Sequence, residues 1–258
     1  MLHFVMPPDG IESSLIEELF RPQAECLRQR GFRVSIVRDE VFRDGNSLRG
    51  VLADAIVVYR GWMVRPHEYQ HYENAVRAAG AIPLTGADAY RLTHHLPNWY
   101  ATLSEFTAET VCFDAGVDLV SELARLDWGQ YFLKDYVKSL KVDGGSIVRT
   151  PKDGARWIQE MLAYRDELEG GICVRRVEDF VPETECRYFV LQGQPHSPDK
   201  REIPLPVIAA AERIRSSFFT VDVAKNVAGE WRIVELGDGQ VSDLVGWTPE
   251  RFAEIWPQ

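Results

Sequence analysis

The chain has 258 residues, of which 45% are apolar and 26% charged, with a formal net charge of -10. This length supports a substantial core in one large domain or two small ones. The acidic residues are spread along the chain, which excludes a general nucleic-acid or anionic-membrane surface, and no stretch approaches the roughly 18 apolar residues of a membrane span.

Leu2–Met6 is an apolar run without a basic flank, so it reads as a first strand rather than a signal peptide, and it ends in the turn Pro7–Gly10. Ile11–Arg30 has helical spacing, interrupted near Pro22. Strands are expected at Phe32–Val37, Ala55–Tyr59 and Ala81–Leu84, with a helix over Pro66–Ala79 closed by Gly80. Strands alternating with helices argue for a small parallel α/β layer. Residues 88–127 read mainly as helix and loop. Beyond them come a strand entering at Tyr131–Leu133, a strand at Ile147–Val148, and a helix from Thr150-Pro151 to about Leu168. Strands at Ile172–Val177 and Arg187–Leu191, a loop over Pro195–Pro206 and a helix over Val207–Ser217 follow. Phe218–Val223 and Trp231–Leu236 then read as paired strands, giving an α+β region without a Rossmann pattern.

Cys26, Cys112, Cys173 and Cys186 are too far apart for a CxxC pair and read as reduced thiols of a cytosolic protein. Lysine usage is more informative. The chain holds only six, none before residue 134, and Lys134, Lys138 and Lys141 fall together. A solvated strand end is the plain reading. Lysine is also a flexible point charge for phosphate, and Gly144-Gly145-Ser146 follows with free backbone N–H groups that suit a triphosphate. The segment Arg175-Arg176-Val177-Glu178 can offer backbone to an adenine, and a carboxylate such as Glu185 can reach a ribose. Asp222 and Glu235 on adjacent strands can share Mg²⁺ bound to phosphate oxygens.

No Walker A signature, GxGxxG or GxSxG occurs. His67-Glu68-Tyr69-Gln70-His71 matches HExxH, with His94 or His95 as a third zinc ligand, and keeps a zinc metalloprotease as a remote alternative. Pro66 puts that match in the first, exposed turn of its helix, where a polar helix start accounts for it.

Several segments together resemble the ATP-grasp superfamily, in particular a short branch of bacterial and phage proteins. They are Tyr59–Met63, His94–Tyr100, Lys134–Ser139, Gly170–Arg175, Glu185–Phe189, Phe218–Ala224 and Val234–Val241. The resemblance implies an ATP-grasp fold with an N-terminal pre-ATP-grasp α/β domain over 1–90 and an ATP-grasp domain over 91–258. It implies Lys134 and Lys141 on ATP phosphates, Glu235 and Asp222 on Mg²⁺, Glu185 on the ribose, and Arg175 and Arg187 facing the transferred phosphate. Gly237 stands where many members carry Asn, so Asp238 or Gln240 is the expected substitute ligand. The implied activity is a cytoplasmic ligase that activates a carboxylate as an acyl phosphate and joins it to an amine or another nucleophile. A phosphotransferase and a non-catalytic nucleotide-binding module are the alternatives. Arg60 and Trp62 are the candidates for recognising a small-molecule or peptide substrate, and a homodimer is kept as an option.

Overall fold

The computed structural model describes residues 1–137, 139, 145–165 and 168–258. In chain order these form β1 (Leu2–Met6), α1 (Arg21–Gln29), β2 (Arg33–Ile36), α2 (Asp39–Asp44), β3 (Ile56–Tyr59), α3 (Pro66–Ala78), β4 (Ile82–Pro83), α4 (Ala87–His94), α5 (Leu96–Leu103), β5 (Thr110–Asp114) and α6 (Leu119–Leu126). Then come β6 (Tyr131–Asp135), β7 (Ile147–Val148), α7 (Asp153–Arg165), β8 (Gly171–Arg176), β9 (Phe180–Leu191), β10 (Gln194–His196), α8 (Leu205–Arg213), β11 (Phe218–Asn226), β12 (Trp231–Asp238) and α9 (Pro249–Glu254). The chain forms two compact units, neither continuous in sequence. The first comprises Met1–Thr93, Cys186–Asp222 and Leu236–Gln258; the second comprises His94–Glu185 and Val223–Glu235.

The first unit contains a parallel sheet in the order β2-β1-β3-β4. Parallel strands are covered on both faces, which is why β1 and β3 read as near-continuous apolar runs. Alternate residues serve opposite cores. Phe4, Met6 and Val58 pack with Leu27 of α1 and with Phe189, Phe218, Trp247, Phe252 and Trp256. Val5, Val57 and Tyr59 pack with Phe42 of α2 and Tyr69, Tyr72 and Val76 of α3. Gly80 follows α3 with φ +76°, a left-handed position where a side chain would be strained.

The second unit contains a sheet in the order β5-β8-β6-β7, with antiparallel neighbours throughout. Leu119 and Leu123 of α6 and Trp157 and Met161 of α7 cover one face, packing on Tyr131, Leu133, Val148, Ile172 and Val174. By strand alternation the opposite face carries Phe132 and Lys134 from β6, Cys173 and Arg175 from β8, and Thr110 and Cys112 from β5. A further sheet has the order β10-β9-β11-β12. Its strands β9, β11 and β12 each begin in one unit and end in the other.

Some local expectations need correction. Residues 11–17 are not helical, because the Asp9 carboxylate accepts the Ile11 and Glu12 N–H groups and holds a turn. Pro22 lies in the first turn of α1, so it marks a start rather than an interruption. The helix expected from Thr150 begins at Asp153, whose Oδ2 accepts both the Thr150 N–H and hydroxyl. A strand, β5, sits inside the stretch read as helix and loop, and β10 and the start of α8 lie within the expected Pro195–Pro206 loop.

Candidate active site

The exposed-side chemistry of the second unit starts from Lys134. It sits on β6, only 5% exposed, and donates from Nζ to Glu235 Oε1 of β12 at 2.6 Å. The Glu235 side chain is 42% exposed, so this pair has a dry cationic end and a wet anionic end. The β12 strand is fastened just before Glu235. The Thr107 hydroxyl donates to Ile233 O at 2.7 Å, and Arg175 Nη1 donates to Val234 O at 2.7 Å. Arg175 Nη2 donates in turn to the Thr107 hydroxyl at 2.7 Å. Burial pulls the Arg175 guanidinium below its ordinary range, with Glu235 and Glu178 opposing that shift. Arg175 was expected to face a transferred phosphate; two of its nitrogens instead hold Val234 and Thr107.

The linker after β8 forms an open hollow of about 300 Å³ lined by Trp128, Gly129, Gln130, Arg176, Val177 and Asp179. This is the part of the chain where an adenine was expected. Glu178 is turned to Arg232, whose Nη2 lies 2.9 Å from its Oε1, so its carboxylate is held by an ion pair. Arg176 lies 3.2 Å from Glu109 on an exposed edge. Glu185 is exposed on β9. Gly145 has φ +60° with open space about its Cα, and the Ser146 carbonyl accepts the Leu133 N–H at 2.7 Å. Lys138, Lys141 and Gly144 lie outside the described residues.

In the first unit, Arg187 grips Asp222 through both carboxylate oxygens, Nε to Oδ1 at 2.7 Å and Nη2 to Oδ2 at 2.6 Å. Its Nη1 also donates to Asp243 O at 2.9 Å. Two-point pairs of this kind fix orientation as well as charge. Asp222, expected on Mg²⁺, is therefore neutralised by an arginine expected on phosphate.

Three expectations fail here for physical reasons. Asp238 is fully buried; its Oδ1 accepts from the Gln240 N–H at 3.0 Å and from Gln240 Nε2 at 3.1 Å. Burial raises its carboxyl to about 7, so it is a poor hard-cation ligand in this setting. Gln240 is spent as well: its Oε1 accepts the Tyr59 N–H at 3.0 Å, and its Nε2 also donates to the Tyr69 hydroxyl. Gly237 admits no side chain without movement, because a Cβ there would come within 2.9 Å of the Ser242 hydroxyl and 3.0 Å of the Thr220 hydroxyl. An Asn does not fit this strand as it stands.

Arg60 was a candidate for substrate recognition, and it is fully buried. Its Nη1 donates to Gly239 O at 2.6 Å, Gln240 O at 3.1 Å and Ser242 O at 2.9 Å. Its Nε and Nη2 donate to Gln23 Oε1 at 3.1 and 2.9 Å, and the guanidinium lies 4.7 Å over the Phe252 ring. It is a tie between loops, with no donor left over. Trp62 beside it is 50% exposed and meets Phe20 edge-on.

The HExxH stretch is a helix start. Glu68 Oε2 caps α3 by accepting the Arg65 N–H at 2.7 Å, His71 Nδ1 lies 2.8 Å from Phe42 O, and His67 is exposed. His94 and His95 face Glu169, at 3.9 and 3.1 Å. No cluster of three or more metal-ligating side chains occurs among the described residues. Thr107 and Arg232, which fasten β12, carried no sequence signal, since neither stands in a recognisable motif.

A family model described as an ATP-grasp domain, the third family of its clade, matches residues 125–255, just over half of the chain. The protein belongs to that ATP-grasp family. No curated protein matches it in sequence. Solved structures share its fold at low identity. The D-cycloserine synthetase DcsG is 16% identical with a TM-score of 0.65, over 98% of this chain and 97% of that one. The ATP-grasp ligase PsnB, in complex with minimal precursor, Mg and ADP, is 12% identical with a TM-score of 0.64, over 98% and 95%. The D-alanine–D-alanine ligase from Bacillus anthracis, in complex with ATP, is 11% identical with a TM-score of 0.63, over 98% and 94%. The ATP-grasp fold expected from the sequence is the fold observed. No described helix is long and apolar enough to cross a membrane.

Proposed function

We propose that this ATP-grasp protein is a Mg²⁺-dependent ligase that phosphorylates a carboxylate with ATP and joins the product to an amine or another nucleophile. The observation that carries the reading is the Lys134–Glu235 pair at 2.6 Å. A lysine and a carboxylate side by side are complementary to a phosphate oxygen and to its counter-cation. Glu235 suits Mg²⁺, which takes one or two protein carboxylates and fills its remaining positions with phosphate oxygens and water. A preformed cluster of three ligands is therefore not needed, and Asp222 is the second carboxylate of the proposal. Mg²⁺ would neutralise charge on the phosphates during transfer. Lys134 holds a phosphate oxygen from a dry strand, where one charge acts more strongly than in water. Arg175 and Thr107 hold β12 so that the Glu235 carboxylate keeps its position. The hollow at Arg176, Val177 and Asp179 receives the base, and Lys138, Lys141 and Gly144 complete the phosphate loop.

The solved ligases named above act, by their descriptions, in making D-cycloserine, in joining D-alanine to D-alanine, and on a precursor peptide. Those descriptions favour a carboxylate acceptor in a small molecule or peptide, and a cytoplasmic setting with ATP at hand. In the chemistry proposed, a carboxylate oxygen attacks the terminal phosphorus and ADP leaves. The nucleophile then attacks the acyl carbon and phosphate leaves.

The test is ADP release screened over pairs of acids and amines, with mass detection of a new amide. An amide formed with one ADP per bond supports the ligase. A stable phosphorylated product without an amide would make it a phosphotransferase, and nucleotide binding with no ADP from any pair would make it a binding module.

A further inference from the structure

Two cysteines outside the proposed machinery face one another. Cys112 of β5 and Cys173 of β8 are partners in an antiparallel ladder. The ladder continues at Glu109 and Arg176, where the Arg176 N–H bonds to Glu109 O at 2.8 Å. Hydrogen-bonded and non-hydrogen-bonded pairs alternate along such a ladder, so Cys112 and Cys173, three positions further on, form a non-hydrogen-bonded pair. In that kind of pair the Cα atoms stand about 4.5 Å apart with side chains close together on one face, within the range a disulfide spans. On the other side of Cys173 its partner is Lys134. Cys112, Cys173 and Lys134 thus make one row on the sheet face that α6 and α7 leave uncovered.

We propose that Cys112 and Cys173 are a reversible redox dithiol that a hydroperoxide oxidant closes to a disulfide beside Lys134. The two sulfurs are differently equipped. Cys112 is partly exposed and Cys173 is buried. A hydrogen bond from Cys173, with Arg175 and Lys134 nearby, lowers the Cys112 thiol, while burial raises Cys173. Cys112 is the attacking thiolate and Cys173 the resolving thiol. The Cys112 thiolate breaks the peroxide O–O bond, becoming a sulfenic acid as the peroxide leaves as water. The Cys173 sulfur then forms the S–S bond and expels the sulfenic hydroxyl, which takes the Cys173 proton and departs as a second water. Two thiols lose one electron each, and the peroxide gains both.

The other two cysteines, Cys26 and Cys186, belong to the first unit and serve as internal controls. The experiment treats the full, reduced chain with a small excess of hydrogen peroxide. Free thiols are counted, and the tryptic peptides are mapped before and after dithiothreitol. The expected result is that two of the four thiols disappear as a Cys112–Cys173 disulfide, that dithiothreitol restores both, and that Cys112→Ser forms no internal disulfide. Cys112 driven to a sulfinic acid with Cys173 still a thiol overturns the proposal, as does faster loss of Cys26 or Cys186.

A second arm rests on the proposed nucleotide role of Lys134. Saturating Mg²⁺-ATP should cover this row and slow disulfide closure at least several-fold. Closure at equal rates with and without nucleotide leaves the dithiol standing and overturns the placing of phosphate at Lys134. Absence of the disulfide without nucleotide overturns the dithiol alone.

Discussion

Replacing Glu235 by Gln keeps shape and removes one charge, and the structure gives this change two opposite consequences. Without metal, Glu235 competes with phosphate for Lys134, at a Nζ–Oε1 distance of 2.6 Å. Unit charges 4 Å apart interact by about 4 kcal/mol at an effective dielectric of 20. The Glu235 side chain is 42% exposed, so water screens much of this, and the range for exposed pairs, ~0.2–1 kcal/mol, is the better guide. Its upper end, about 1 kcal/mol, is roughly fivefold in affinity. Glu235→Gln should therefore bind ATP in EDTA about two- to fivefold more tightly than wild type. With Mg²⁺ present, the gain should vanish and ADP formation should fall by about two orders of magnitude or more, since charge built up in phosphoryl transfer loses its counter-cation. Calorimetric titration with ATP, in EDTA and then in Mg²⁺, measures the first effect, and coupled ADP release measures the second. Weaker binding in EDTA would show that Glu235 supports the phosphate rather than competing for Lys134. Equal turnover would remove Glu235 from the metal site.

Arg60→Met should cost about 3–5 kcal/mol of stability, because Gln23 and the carbonyls of Gly239, Gln240 and Ser242 lose their buried charged donor; thermal melting checks this, and a normal melting temperature would refute the tie. Asp238 has a folded pKa of about 7 against an ordinary 3.8, so the native state favours its protonated form. Its stabilising share is complete below pH ~4 and is lost as pH rises through about 7, at up to roughly 1.4 kcal/mol per pH unit. Urea unfolding at pH 5 and pH 8 should therefore show a smaller loss in Asp238→Asn than in wild type.

The parallel sheet was legible because its strands are short apolar runs between helices with plain stop signals, such as Gly80 after α3. The antiparallel strand β5 was not, since Thr-Val-Cys-Phe-Asp is brief and follows two helices, so local pattern gives no period to follow. Lys134, Asp222 and Glu235 stood out as charges on apolar strands, and the structure puts each of them in an ion pair. Arg60 stood out for the same reason and proved internal. A charge at a strand end has the same appearance in sequence whether it meets a ligand or a backbone carbonyl 179 residues away. The closure of Gly237 is equally unreadable in one dimension, because it depends on Thr220 and Ser242 arriving from neighbouring segments.

The discontinuous make-up of the first unit sets an order on its assembly at the ribosome. Phe4 and Met6 are among the earliest residues made, yet the aromatic residues that cover them include Trp247, Phe252 and Trp256. Until those residues emerge, one face of the nascent parallel sheet has only α1 and its neighbours to lie against, and its apolar side stays open to water or to chaperones. The second unit's sheet, β5 to β8, is complete by residue 176. The part of the protein made first is thus the part finished last, and loss of α9 should be felt most keenly at β1, the opposite end of the chain.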